Sequence, residues 1–330
     1  MIVVSRCPCR ISLLGGSSDL EWFVNRKGKG LSIGFSVSSY SRVAIGFRGG
    51  NLNRGLLNYS SREEYSSLDS ISHPIIRKCF QTFSLAKPVE LASFGDSLLG
   101  SGLATSSSFV IALIKSTTNL QGQEFSNKKI AELACDLEIK NSNNSLGRQD
   151  QYLCALGGIN FLYFKKKGFV TPKKYPLISE AIYKYSQSLY LINTSISRSA
   201  TSQLDIIKTD TKSFYEIEEI LKIAQNFISE SIKIEDLNQI IRNLESSLKL
   251  SWEIKKNMKG VWNPNLTEIE NYLLREGFNV VKILGAGGGG YLLAKYSGLD
   301  IVKSASNLIK KNIFIKKVSI DFEGCKSWNI

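Results

Sequence analysis

Leu98-Leu99-Gly100-Ser101-Gly102-Leu103-Ala104-Thr105-Ser106-Ser107-Ser108-Phe109 runs without a break into the apolar segment Val110-Ile111-Ala112-Leu113-Ile114. Small residues thus lead directly into a predicted helix over 106–120. A helix N-terminus carries partial positive charge and unpaired backbone N–H groups, so such an entry suits anionic oxygens, phosphates above all. Hydroxyls at Thr105, Ser106 and Ser107 could add ligands for a phosphate or for magnesium, a cation that takes oxygen donors. A plain helix N-cap after a flexible loop is the alternative, because Ser and Thr favour that position. The loop alone does not separate the two.

The flanking patterns place this loop within a chain of mixed elements. Upstream, 2–7 and 10–14 alternate as strands, Gly15–Asp19 interrupts them, and 20–23 reads as a short helix. Residues 34–47 form a further strand, 49–70 a turn-rich hairpin excursion, 74–83 a helix and 89–94 a strand. Downstream, helices over 127–140 and 152–156 precede a strand over 159–164, the second helix stopped by Gly157-Gly158. The lysine- and proline-rich stretch 165–176 marks a boundary, dividing the chain into 1–175 and 176–330. Beyond it the pattern predicts a strand at 188–193, long amphipathic helices over 201–257 and a helix at 266–276. A strand (279–284), a glycine turn, a strand (291–295), a helix (300–311) and a strand (313–322) close the chain.

Composition narrows the function classes. The chain has 330 residues, 43% of them apolar, which fits two domains or one large one with a sizeable core. No apolar run approaches the ~20 residues of a membrane span. The start, Met1-Ile2-Val3-Val4-Ser5-Arg6, lacks the apolar segment of a secretion signal, so a cytoplasmic location is expected. The six cysteines lack metal-ligand spacing and read as buried small hydrophobes in a reducing compartment. A single histidine, His73, excludes chemistry that needs two imidazoles. The net charge of +13 admits a nucleic-acid binder, but no basic–aromatic stripe accompanies it. A field favouring small anions accounts for the charge, so neither nucleic acid nor membrane is an expected partner.

Two carboxylates invite attention. Ile130, Leu133, Ala134 and Leu137 form one apolar helical stripe, and Glu138 continues it. A carboxylate there needs a cation or hydrogen bonds. It is either a magnesium ligand facing the hydroxyls of the glycine loop or half of a structural ion pair. Asp150, within Gly147-Arg148-Gln149-Asp150-Gln151-Tyr152, is either a cap for the short helix or an acceptor for a substrate hydroxyl's proton. The run Gly285-Ala286-Gly287-Gly288-Gly289-Gly290 formally matches a dinucleotide fingerprint, but Tyr291-Leu292-Leu293-Ala294 after it reads as strand, not helix. A glycine turn allowing close backbone approach fits better.

These segments together resemble the GHMP kinase superfamily. Its first motif is similar to 7–19 (Cys7-Pro8-Cys9-Arg10-Ile11-Ser12-Leu13-Leu14-Gly15-Gly16-Ser17-Ser18-Asp19). The second is similar to Gly102-Leu103-Ala104-Thr105-Ser106-Ser107, and the third to Lys282-Ile283-Leu284 with the glycine run. Within the superfamily, Gly15-Gly16-Ser17-Ser18-Asp19, the segment 147–152 and Thr194-Ser195-Ile196-Ser197-Arg198 look most like D-glycero-D-manno-heptose 7-phosphate kinases.

The resemblance implies an α+β fold of two domains, one like ribosomal protein S5 domain 2 and the other ferredoxin-like, with the active site between them. It implies ATP and Mg2+, with Gly100, Ser101, Gly102, Leu103, Ala104, Thr105, Ser106 and Ser107 on the nucleotide and Ser106 and Glu138 on the metal. Asp150 would be the catalytic base with Arg10 beside it. Gly16, Ser17, Asp19, Gln149, Arg198, Gly287 and Gly288 would contact the sugar. The implied reaction is phosphorylation of a sugar's anomeric hydroxyl, most simply that of the heptose 7-phosphate, feeding nucleotide-heptose and surface polysaccharide synthesis. A fucokinase-like free-sugar kinase and an inactive sugar-binding regulator are the alternatives, and a homodimer is left open. Three positions depart from the family pattern: Ala104 and Ser195 stand where glycine is usual, and Cys9 replaces a small or apolar residue.

Overall fold

In a computed structural model, which describes residues 1–49, 53–85, 87–97, 100–141, 146–196 and 200–330, two long strands set the frame. β1 (Ile2–Leu14) and β2 (Lys29–Phe47) pair antiparallel along nearly their whole length, linked by α1 (Glu21–Lys27). The two expected strands at 2–7 and 10–14 are therefore one, because Pro8 and Cys9 are accommodated at a shift in register instead of ending the strand. A hairpin of β3 (Gly55–Asn58) and β4 (Arg62–Tyr65), then α2 (Pro74–Thr82) and β5 (Val89–Gly95), complete one wing. α3 (Thr105–Leu120), α4 (Asn127–Asn141) and α5 (Gln149–Leu156) follow, then β6 (Ile159–Lys165) and β7 (Val170–Lys173).

At 19 residues β2 is too long for one neighbour on its second edge. Its first part, from Lys29 to Phe35, pairs with β6, and its last, from Ser41 to Phe47, pairs with β5. α3 crosses this sheet and is buried along most of its length, from Ser107 to Leu120. Ser5 Oγ donates to Ala112 O at 2.7 Å, and Ser108 Oγ donates to Cys7 O at 2.7 Å. A helix so enclosed holds its N-terminus at a fixed place, which matters for the loop that precedes it.

The rest of the chain is α6 (Pro176–Ser186), β8 (Leu189–Asn193), α7 (Ala200–Thr209), α8 (Thr211–Ser231), α9 (Leu237–Asn257), α10 (Pro264–Arg275), β9 (Phe278–Ile283), β10 (Tyr291–Tyr296), α11 (Ile301–Lys310), β11 (Phe314–Lys317) and β12 (Lys326–Asn329). The second sheet has the order β11-β8-β10-β9, antiparallel throughout, which is the ferredoxin-like arrangement. The α+β class expected from the sequence holds. On α8, Phe214, Ile217, Ile220, Leu221, Ala224, Phe227 and Ile228 make one buried face. They join Ile11, Leu13, Ile33, Phe35 and the second sheet in a continuous core.

Three segments differ from the sequence reading. The stretch 165–176 contains β7, an edge strand on β6, and ends at Pro176 in the first turn of α6. Proline is tolerated at both kinds of position, so the stretch is structured, and the boundary drawn at 175/176 falls between β7 and α6. The strand expected over 313–322 stops at Lys317, because the chain leaves the sheet there. Ile320 bridges to Val37, and Asp321 Oδ1 accepts from Glu323 N (3.0 Å) and Gly324 N (2.7 Å), turning the chain. The last residues then return as β12 against β1. Among the described residues no helix is long and apolar enough to cross a membrane.

Candidate active site

A cleft of about 230 Å³ lies where the Gly15–Asp19 turn, the loop before α3, the first turn of α5 and the wall of α9 and β9 meet. Arg10, Gly16, Ser17, Asp19, Gly100, Ser101, Gly102, Ala104, Thr105, Ser106, Ser107, Glu138, Gln149 and Asp150 all line it. Leu103 instead turns into the core, 1% exposed, and contributes backbone: Arg10 N donates to Leu103 O at 3.0 Å. Gly287 and Gly288 are not in the lining, and Gly288 N donates to Val261 O at 2.7 Å. Arg198 lies outside the described residues.

The loop is shaped by positive backbone angles. Gly102 has φ +81, and a Cβ there would meet Leu284 O at 2.5 Å, so only glycine lets the loop sit against the chain ahead of the glycine run. Ala104, the residue before α3, adopts φ 60 and ψ 39, a left-handed conformation otherwise typical of glycine. Ser195, the other position where glycine is usual, has φ 56. Tyr291 N donates to Ser101 O at 2.9 Å, fastening the loop to β10. The glycine run thus serves as backing for the anion loop, and its first two residues, Gly285 and Ala286, reach the cleft.

Arg10 ties three elements together. Its Nε and Nη2 both lie 2.8 Å from Asp150 Oδ1, and Nη1 donates to Gly102 O at 2.6 Å. Burial opposes its charge, but Asp150, with Cys154 and Asp19, outweighs this and raises the Arg10 pKa. Asp150 sits in the first turn of α5 without capping it, because its side chain is engaged by Arg10. Oδ2 of Asp150 makes no hydrogen bond among the described residues.

The other two carboxylates are buried and held by neutral donors. Asp19 Oδ2 accepts from Gln149 N at 3.0 Å and Oδ1 from Gln149 Nε2 at 2.8 Å. Burial, reinforced by the charge of Asp150, pushes the Asp19 carboxyl up to about 6. A Cβ on Gly147 would overlap Asp19 Oδ2, so the close approach of α5 to the turn requires glycine there. Glu138 Oε2 accepts from Gln151 Nε2 at 2.6 Å, and Oε1 accepts from Ser106 Oγ at 3.3 Å. Burial pushes Glu138 up to about 7, against the hydrogen bonds from Gln151 and Ser107.

Four residues of the site escaped the sequence reading. Gln151 fixes Glu138, although only its neighbours Gln149 and Asp150 were singled out. Ser12 lines the cleft, and its Oγ is buried without a partner among the described residues. Lys255 on α9 donates to Gly285 O at 2.8 Å, and Lys282 on β9 donates to Leu13 O at 2.8 Å. Both lysines are at least nine-tenths buried. Burial, with Lys255 and Arg10 nearby, pushes the Lys282 pKa well below that of an ordinary lysine.

Comparison with known proteins agrees with this architecture. Residues 72–158 match the GHMP kinases N terminal domain. The chain is 25% identical over 342 aligned positions to the D-glycero-alpha-D-manno-heptose 7-phosphate kinase of Campylobacter jejuni, covering 99% of this chain and 98% of that one. Its fold superposes with a TM-score of 0.77 on a D-glycero-D-manno-heptose 1-phosphate kinase from Bacteroides thetaiotaomicron, at 20% identity and 99% coverage of each chain. The mevalonate kinase of Methanococcus jannaschii gives 0.69 at 17% identity, over 100% of this chain and 98% of that one. The segment that matches the domain carries the anion loop, Glu138 and Asp150, and the likeness in fold runs the length of the chain. The chain carries a GHMP kinase N-terminal domain within a fold shared end to end with kinases of that type, and it is a phosphotransferase.

Proposed function

We propose that the chain transfers the γ-phosphoryl group of ATP to the anomeric hydroxyl of a sugar phosphate, D-glycero-D-manno-heptose 7-phosphate being the acceptor that its motifs and its Campylobacter relative favour. One observation carries the reading: Arg10 joins the carboxylate of Asp150 to the carbonyl of Gly102 in the anion loop. A would-be base and a phosphate-binding loop are thereby held together by one buried cation. The loop, with the N-terminus of α3 behind it, takes the polyphosphate. Arg10 neutralises charge on the transferring group, and Asp150 Oδ2 accepts the proton of the attacking hydroxyl. Phosphoryl transfer asks mainly for positioning and charge neutralisation, so these groups suffice without a covalent intermediate. Asp19, oriented by Gln149, holds a sugar hydroxyl, with Gly16 and Ser17 closing over it. Gly287 and Gly288 act on the acceptor through the loop they support, and Arg198 is the sequence-based candidate for its phosphate.

Magnesium fits the residues present. Glu138, buried, and Ser106, at the exposed start of α3, offer a pair of hard oxygen donors 3.3 Å apart, and burial raises the carboxylate. Among the described residues no group of three acidic, histidine or cysteine side chains could hold a metal alone, which suits an ion carried mainly by nucleotide phosphates. When bound, the ion would neutralise charge on the phosphates. The division of the chain near residue 175 falls between β7 and α6 and is part of the same proposal.

ADP release measured over free and phosphorylated heptoses and hexoses, with and without a magnesium chelator, tests the reading. Turnover restricted to phosphorylated sugars and abolished by chelation is expected. Preference for a free sugar would favour a fucokinase-like enzyme. No turnover on any sugar would leave a regulator.

A further inference from the structure

We propose that Lys282, with Lys255 beside it, receives the phosphate group that the acceptor already carries. Inorganic phosphate and phosphomonoesters share the chemistry that such a subsite would recognise. The inference rests on the reading of the acceptor as a sugar phosphate.

Lys282 is 6% exposed and lines the cleft. Among the described residues its only hydrogen bond goes to one carbonyl, that of Leu13, although an ammonium has three protons to donate. A buried charge is costly unless it is paired with an opposite one. The carboxylates of the cleft are already committed: Asp150 Oδ1 to Arg10, Asp19 to Gln149 and Glu138 to Gln151. The charges that act on Lys282 are those of Lys255 and Arg10, both of the same sign as its own. Lys282 and Lys255 line the cleft beside Arg10, which is paired with Asp150, and with no acid committed to Lys282 they describe a place for an anion.

Position separates this place from the ATP loop. The carbonyl that anchors Lys282 belongs to Leu13, two residues before the turn of Gly15–Asp19 that presents Asp19. In the same strand, Ser12 keeps a hydroxyl without a partner among the described residues, next to Gly16. The polyphosphate has its own donors at the start of α3. Lys282 is thereby anchored to the strand that leads into the Asp19 turn, while Lys255 is anchored to Gly285 behind the loop. A phosphomonoester brings about −1.5 to −2 charge at neutral pH and three acceptor oxygens. That matches an ammonium with donors to spare and a neighbouring hydroxyl.

The test compares kcat/KM for heptose 7-phosphate and for unphosphorylated heptose in the wild type, Lys282→Met, Lys282→Gln and Lys255→Met. Lys282→Gln retains an N–H donor for Leu13 O, which guards against loss of the fold. Charged hydrogen bonds of this kind are each expected to carry about ten- to hundredfold in affinity. The variants should lower the preference for the phosphorylated sugar by that factor, through KM for the acceptor, with KM for ATP unchanged. Inorganic phosphate should compete with the sugar phosphate in the wild type and more weakly in the variants. A wild-type preference that survives in variants with normal KM for ATP overturns the subsite and leaves the proposed acceptor standing. A rise in KM for ATP instead assigns the lysines to the donor, and also overturns it. Equal use of both sugars by the wild type overturns the acceptor reading itself, and the subsite with it.

Discussion

Asp19→Asn offers a quantitative check on the electrostatics of the cleft. In the folded chain burial and the charge of Asp150 raise the Asp19 carboxyl from 3.8 to about 6. The native state therefore binds a proton that the unfolded chain has already released, and stability falls as pH rises through this window. At about 1.4 kcal/mol per pH unit, the loss attributable to Asp19 between pH 4 and pH 8 is about 2 kcal/mol. Asparagine cannot ionise, so the variant should lack that part of the decline. It also exchanges one accepting oxygen for an NH2 facing Gln149, at a pH-independent cost of about 1 kcal/mol. The variant should thus be the less stable protein at pH 4 and the more stable at pH 8. Glu138, raised to about 7, adds a decline of the same sign to both proteins and cancels in the difference. Urea unfolding across this range, without nucleotide or metal, gives the two curves. Parallel curves would refute the burial argument for Asp19, whatever their offset.

Ala104→Gly should relieve a left-handed conformation that costs a residue with a Cβ about 1–2 kcal/mol, while the unfolded chain gains some freedom. Net stabilisation of up to about 1 kcal/mol by urea unfolding is expected, and a clear loss would show that the alanine methyl is needed. Glu138→Gln should raise the magnesium concentration required for half-maximal turnover. Wild-type rates at limiting magnesium would remove Glu138 from the metal site. Arg198→Ala should reduce the preference for phosphorylated over free heptose by roughly tenfold, the effect of one charged hydrogen bond. An unchanged preference would make Arg198 a surface ion pair worth ~0–1 kcal/mol.

What the sequence revealed of this fold follows the range of the interactions involved. The helix after the glycine loop, the stripe that carries Glu138 and the closing strand–strand–helix–strand order are local patterns, legible from spacing. Lys282 is different. Its burial depends on β9 packing against β1, and its partner Leu13 is 269 positions away. Within β9 it reads as a solvated charge. Lys255 and Lys256 look like a matched pair at a helix end. One residue is about 100° around a helix, however, and Lys255 meets Gly285 whereas Lys256 pairs with Glu270. β12 was hidden for a similar reason, since only the turn made by Asp321 sends the chain back to β1. Ala104 and Ser195 show the converse. Each departed from a glycine pattern, and each has the positive φ that glycine would have adopted without strain.

The central claim is that Asp150, held by Arg10, directs the γ-phosphoryl of ATP to an anomeric hydroxyl. Phosphorus NMR of ATP, magnesium and heptose 7-phosphate incubated with the wild type and with Asp150→Asn tests it directly. ADP and a heptose bearing phosphate at both the anomeric and the terminal position are expected. In the variant that signal should grow about 10²–10⁴-fold more slowly, the range for a lost general base, with ATP still bound. Phosphate appearing at a non-anomeric hydroxyl, or a variant that forms product at the wild-type rate, would contradict it.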